Sequence, residues 1–339
     1  MVLGCVVYVF LWCVMVLKIR VWFYFGRWVR WMFRVVSVGD ISADIVIFSH
    51  VYPKVGEDYE VSDFLIDQGG SAANFASAIA GLGVDVSVIG KVGSDWFGRF
   101  LVLKLKESGV DVRYVKFDRK VRTGVVFIIV DSYGERTMLS YRGANVRLRP
   151  DEIDEGCVRG VELLHVSGYS LIKGTQRDAV MKCIRLAKRN GVLVSFDPGQ
   201  LVGSIERFVL YDVLKNVDIV MLNVSELKFL FGDVDLMGGV KFLMGMGVRV
   251  VGLKLGGRGC LIANGLGVVN VKAFDVKVVN VTGAGDVWDA GFVYSFLNGF
   301  SMEYAGRFAN AVAALFISNS YKRFPKRDEV EDFLNVHSK

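Results

Sequence analysis

The sequence predicts an α/β protein built on a mostly parallel sheet. Short apolar runs alternate with segments of helical periodicity from Phe33 onward, and most of those helical segments stop at a glycine. Helices inserted between buried strands are what parallel connections require. With four prolines and no low-complexity tract, 339 residues leave little room for a disordered linker.

The elements follow in order. Residues 35–38 form the first apolar strand. Residues 71–80 are a helix of small side chains, ended by Gly81 and Gly83. Residues 86–89 read as a strand. Residues 95–108 read as a helix with Phe97, Phe100, Leu101, Leu103 and Leu105 on its apolar side, stopped by Gly109. A strand at 163–166 contains His165, which we read as structural. Thr175–Arg189 is a helix closed by Gly191, and 192–196 is a strand. Further strands are predicted at 218–222, 248–253 and 260–263. Helices at Ala284–Leu297 and 302–318 complete the pattern.

Two regions interrupt it. Residues 44–67 and 111–142 look extended, with turns at Pro53 to Asp58 and at Asp131 to Glu135. The economical expectation is one small sheet assembled from two insertions, projecting over the strand ends as a lid.

Composition is 53% hydrophobic and 22% charged. The net charge of +6 is local, because residues 1–34 hold Lys18, Arg20, Arg27, Arg30 and Arg34 and no acid. Without those five, residues 35–339 carry +1, so no nucleic-acid partner is expected. Five cysteines show no metal-site or disulfide spacing, and three scattered histidines make no metal centre. A reducing cytoplasm is the expected location.

Residues 1–32 form a separate apolar and basic extension with four of the six tryptophans. Met1 to Leu17 is apolar throughout, at the lower limit for a membrane span. The positive charges follow the apolar run, opposite to a signal peptide. We read Met32 as the start of the folded protein and 33–330 as its domain, with a short anchor as the alternative.

The chemistry concentrates at Thr282-Gly283-Ala284-Gly285-Asp286. Small residues expose backbone N–H groups, and the helix after them adds the positive end of its dipole. A carboxylate beside such an anion cradle suits phosphoryl transfer to a hydroxyl. No P-loop is present, and no Gly-x-Gly-x-x-Gly follows a strand.

Together with four other motifs in order, this segment resembles the ribokinase-like (PfkB-type) carbohydrate kinases. The others are Gly39-Asp40-Ile41-Ser42-Ala43-Asp44, Gln68-Gly69-Gly70-Ser71-Ala72-Ala73-Asn74, Asn223-Val224-Ser225-Glu226 and Lys254-Leu255-Gly256-Gly257-Arg258-Gly259. Asn310 follows Asp286 at ribokinase spacing, and the resemblance runs from about Val35 to Phe324. It implies a three-layer sandwich and a kinase using ATP and Mg²⁺. Asp286 would be the base, with Gly283, Ala284 and Gly285 as the anion hole. Asp44, Gly69, Gly70, Asn74 and Arg142 would bind a sugar, sugar acid or sugar phosphate. Asn223, Lys254, Gly256, Gly257, Gly259 and Asn310 would bind nucleotide, and Glu226 Mg²⁺. Asn223 and Glu226 also fit a helix capping box. Asn280 stands where the family commonly has Asp, which leaves a monovalent cation open. A nucleoside kinase and a 2-keto-3-deoxygluconate-type kinase are the alternatives within the family. A sensor that keeps the fold without turnover is the alternative outside enzymes. A homodimer through the lid is expected, as is no membrane partner unless residues 1–31 are an anchor.

Overall fold

A computed structural model describes residues 22–24, 27–29, 34–132, 135–232, 234–319 and 323–337. The anchor, and a start at Met32, lie outside the described residues. Trp22–Tyr24 (β1) and Arg27–Val29 (β2) pair antiparallel.

Most of the chain forms one sheet with layers of helices on both faces. Its strands are Arg34–Val38 (β3), Asp85–Gly93 (β6), Val115–Asp118 (β7), Leu163–Ser167 (β10), Leu193–Asp197 (β11) and Ile219–Asn223 (β12). Val250–Lys254 (β13), Cys260–Asn264 (β14) and Gly267–Val271 (β15) complete it. The order is β15-β14-β13-β12-β11-β10-β3-β6-β7, parallel from β7 to β13 and antiparallel beyond.

Alternate strand residues point to opposite faces, and the two cores follow that period. Val35, Val86, Leu163 and Met221 join the core beneath Ser71–Gly81 (α1), Trp96–Glu107 (α2), Ala284–Leu297 (α7), Met302–Ile317 (α8) and Arg327–Val336 (α9). Val36, Leu164, Val194 and Leu222 join the other, beneath Thr175–Arg189 (α3), Arg207–Leu214 (α4), Val224–Phe231 (α5) and Leu236–Gly245 (α6). Among the described residues no helix is long and apolar enough to cross a membrane.

The chain runs from β3 to one side of the sheet and returns to β10 on the other. Such a reversal opens a crevice at the carboxyl ends of the strands, where ligands of open α/β sheets bind.

The small sheet is separate, with order β5-β4-β8-β9. It comprises Ser42–Phe48 (β4), Asp63–Gly69 (β5), Gly124–Val130 (β8) and Arg136–Tyr141 (β9). The two insertions meet where β4 pairs parallel with β8. One expectation is corrected. Residues 111–123 were assigned to the small sheet, but β7 pairs with β6 at the edge of the main one. A period of two identifies a strand without saying which sheet receives it.

His165 is structural, as read. It stacks on Phe75 with ring centroids 3.8 Å apart, and its Nδ1 lies 3.0 Å from Ser195 Oγ. Burial lowers its pKa from 6.5 to about 3. The unfolded chain therefore binds this proton more tightly than the folded one. Stability is present above pH 6.5 and is lost as pH falls toward 3, by about 1.4 kcal/mol per unit. Denaturant unfolding between pH 7 and 4 should show that slope, and His165→Gln should remove it. An equal slope in the variant would assign the acid lability elsewhere.

Candidate active site

Helix α7 has no side-chain cap. Its N-cap is Gly283, at φ 87°, a left-handed conformation that glycine adopts readily. A Cβ there would lie 3.1 Å from Asn74 Nδ2. The first turn therefore leaves the amides of Gly283 and Gly285 without a side-chain cap at the positive end of a 14-residue helix, whereas the Ala284 N–H, expected in the same anion hole, donates to the Val281 carbonyl at 3.1 Å. Asp286 sits in this turn, and Asn74 Nδ2 of α1 donates to its Oδ2 at 2.8 Å. Asn74 is buried, and its Oδ1 has no hydrogen-bond partner. An unsatisfied buried acceptor beside a carboxylate is a place for a ligand hydroxyl.

Asp44, Gly69 and Gly70 lie on the same side of the crevice. A Cβ on Gly69 would fall 1.9 Å from Asp44 Oδ1, so glycine is what lets that carboxylate occupy its place. Gly70, at φ 88°, comes so close to the Asp40 carbonyl that a Cβ would sit 2.4 Å from it. Arg142 is more committed than expected. Its Nε and Nη2 donate to the Asp40 carboxylate at 2.8–3.1 Å, and Nη2 also to Gln176 Oε1. Only Nη1 is unspent, buried without a partner.

The other half of the crevice is a cleft of about 540 Å³, lined among others by Gln200, Asn223, Glu226, Lys254, Gly256 and Arg258. Asn223 and Glu226 form a capping box at the start of α5: each side chain accepts from the other's backbone N–H, at 2.9 and 2.8 Å. The capping reading is thus present in the structure. It also fixes the buried Glu226 carboxyl at the cleft wall. Burial, reinforced by Asp197, raises its pKa from 4.5 to about 7.

The turn after β13 has Gly256 at φ 60° and Gly259 at φ 95°. Gly259 is pressed against the Val271 carbonyl, whereas nothing lies within 4 Å of a Cβ at Gly256 or Gly257. That open side faces the cleft through Gly256. Two expected nucleotide residues are occupied by protein. Asn310 accepts from Trp288 Nε1 at 2.8 Å and donates to the carbonyls of Val271 and Lys272. Lys254 Nζ donates to Asp197 Oδ2 at 2.7 Å and to Asp289 Oδ1 at 2.9 Å.

A family model described as pfkB family carbohydrate kinase matches residues 32–328. The chain belongs to this family.

This pfkB-family kinase is 33% identical over 305 residues to an ATP-dependent ribose-1-phosphate kinase of Halopiger xanaduensis, covering 90% of this chain and 99% of that one. It is 30% identical over 317 residues to a 5-dehydro-2-deoxygluconokinase of Clostridium perfringens, with 89% and 93% covered. Among solved structures it resembles Arabidopsis thaliana ribokinase complexed with ribose and ATP, with a TM-score of 0.78 and 25% identity. That match covers 89% of this chain and 99% of the other.

The pfkB-type motifs were legible one by one, but several site residues were not. Arg136 on β9 reaches across to donate to Thr282 Oγ1 of the pentapeptide. Asn280, expected to bear on a monovalent cation, accepts from the Thr282 N–H and pins the same loop. Tyr169 is pushed above the ordinary tyrosine range by burial, then by Asp286 and Asp197. No local pattern marks Arg136 or Tyr169. Asp289 was the one with a signal: it lies on the same helix face as Asp286, three residues on.

Proposed function

We propose that this kinase transfers the γ-phosphate of ATP to a hydroxymethyl oxygen of a small sugar or sugar acid. The observation that carries the reading is Asp286 in the first turn of α7, held by Asn74 beside the Gly283 and Gly285 amides of a helix start with no side-chain cap. Asp44 accepts hydrogen bonds from acceptor hydroxyls, and Asn74 Oδ1 accepts another. Asp286 takes the proton as the hydroxyl oxygen bonds to the γ-phosphorus and the bond to ADP breaks. The Gly283 and Gly285 amides hold the transferring phosphoryl, with the Ala284 N–H released from Val281 to join them, and their gain is electrostatic because the helix start is fixed beforehand. ATP occupies the cleft beside Gly256, with its phosphates toward α7.

Glu226 fits Mg²⁺ carried by the nucleotide. It is a single buried carboxyl at the cleft wall whose raised pKa a cation would relieve. Among the described residues no group of three His, Cys, Asp or Glu side chains could hold a metal. Phosphate oxygens and water would complete the shell, as Mg²⁺ prefers. Glu226 would hold such an ion at the cleft wall, and its charge would offset that of the nucleotide phosphates. Glu226→Gln keeps the capping box, and should raise the Mg²⁺ needed for half-maximal rate by about tenfold. An unchanged requirement would remove Glu226 from this role.

The acceptor is expected to be anionic, because Arg142 Nη1 is an unspent buried donor on that side. ADP release should be measured with ribose 1-phosphate, 5-dehydro-2-deoxygluconate and 2-keto-3-deoxygluconate. Ribose, fructose, inosine and cytidine are the comparison set. ADP release with inosine or cytidine alone would favour a nucleoside kinase. Failure with every acceptor would overturn the kinase reading in favour of a sensor.

The small sheet would act as the lid and as a dimer face. Its register puts Asp44 and Arg136 on one face and Ile45, Ile47, Phe64, Phe127 and Leu139 on the other. Phe64, Phe127 and Leu139 are exposed. A second copy of the chain would cover them, and a monomer by light scattering would discard that idea.

A further inference from the structure

Among the described residues Lys254 is the one ammonium buried among the site's acids, and its geometry is unlike that of a nucleotide ligand. Two of its donors are committed, to Asp197 at the end of β11 and to Asp289 within α7. Asp197 in turn accepts from the Gly199 N–H at 2.7 Å through its other oxygen. Nζ also lies only 3.5 Å from where a Cβ on Gly285 would be, directly under the first turn of α7. Strand end, loop and helix are thus fastened at one nitrogen.

We propose that Lys254 is a positioning residue for phosphoryl transfer: by bridging Asp197 and Asp289 it fixes the first turn of α7, and with it Asp286 and the Gly283–Gly285 amides, against the sheet. This rests on the kinase reading above. An uncapped helix start needs such a fastening, because no side chain satisfies its own amides. Asp289 Oδ2 is buried with no hydrogen-bond partner, which suits a neutral carboxyl better than a carboxylate. Burial accordingly drives Asp289 well above the ordinary carboxyl range, while Lys254 holds Asp197 below it against its own burial. One ammonium and one carboxylate then cancel, and no net negative charge opposes the phosphates above them.

The test is steady-state kinetics with the best acceptor from the screen, varying ATP, on Lys254→Met, Asp289→Leu and Asp289→Asn. Lys254→Met should lower kcat by about a hundredfold with KM for ATP within about threefold, the cost of a misplaced reacting group. Asp289→Leu should follow it. Asp289→Asn keeps an acceptor for Nζ and should lose no more than about fivefold, a rescue that bulk alone would not predict. If Lys254 instead holds the nucleotide, KM for ATP rises and kcat stays, which overturns the proposal. Equal losses in Asp289→Asn and Asp289→Leu also overturn it. If Lys254→Met does not fold, the two Asp289 variants decide alone. A wild-type chain inactive with every acceptor refutes the kinase reading, whereas an active wild type with full-rate variants refutes only the role of Lys254.

Discussion

Asp286→Asn should lower kcat by about a thousandfold while leaving MgATP affinity within about twofold. The substitution is nearly isosteric, and position 286 lies in the first turn of α7, so the helix loses little. What disappears is the group proposed to accept the proton as the acceptor oxygen attacks phosphorus. The neighbouring amides remain, so the triphosphate still finds its cradle, and loss should fall on the chemical step. Asn74 donates to Asp286 Oδ2 in the wild type, and a carboxamide at 286 can still offer it an oxygen. Acceptor-dependent ADP formation and calorimetric MgATP titration, on one preparation, separate the two effects. A variant keeping a tenth of the wild-type kcat would show that Asp286 is not the base.

Gly69→Ala should reduce kcat/KM for the acceptor by between about a hundredfold and ten-thousandfold, with KM for ATP unaffected. The added methyl carbon would stand 1.9 Å from Asp44 Oδ1 and 2.3 Å from its Cγ, so the carboxylate must leave its place. Two charge-assisted hydrogen bonds to acceptor hydroxyls, each worth about 1.5–3 kcal/mol, would go with it. Asp44→Asn should do similar damage, and the double variant should be little worse than either single one, because both remove the same interaction. Additive losses would mean that Gly69 serves something other than Asp44.

Much of the fold was readable because its helices and strands have clean periods. Thr175–Arg189 and Ala284–Leu297 match the expected bounds. The misses have physical causes. Helix α6 contains Gly238, Gly239 and Gly245, poor helix formers, and it forms because Val240 and Leu243 are buried against the sheet. Helix α4 is eight residues long with no side-chain cap. Strand β15 did carry a signal, since Gly265-Leu266 joins it to β14 as a two-residue hairpin turn. In the site, glycine motifs were visible because backbone demands are local. Asn74 with Asp286, and Lys254 with Asp197 and Asp289, were not visible as partners. Asn74 and Asp286 lie 212 residues apart, and only the tertiary fold brings them together.

The crevice also divides the chain lengthwise. The proposed acceptor residues Asp44, Gly69, Gly70, Asn74 and Arg142 all precede the proposed nucleotide residues Asn223, Glu226 and Gly256. The hydrogen bond from Asn74 to Asp286 spans that seam. On the proposed assignment, what the enzyme phosphorylates and what it phosphorylates with are written in successive stretches of one gene. Recombination could exchange the first stretch to change the acceptor, provided the incoming segment still supplies an amide donor to the base.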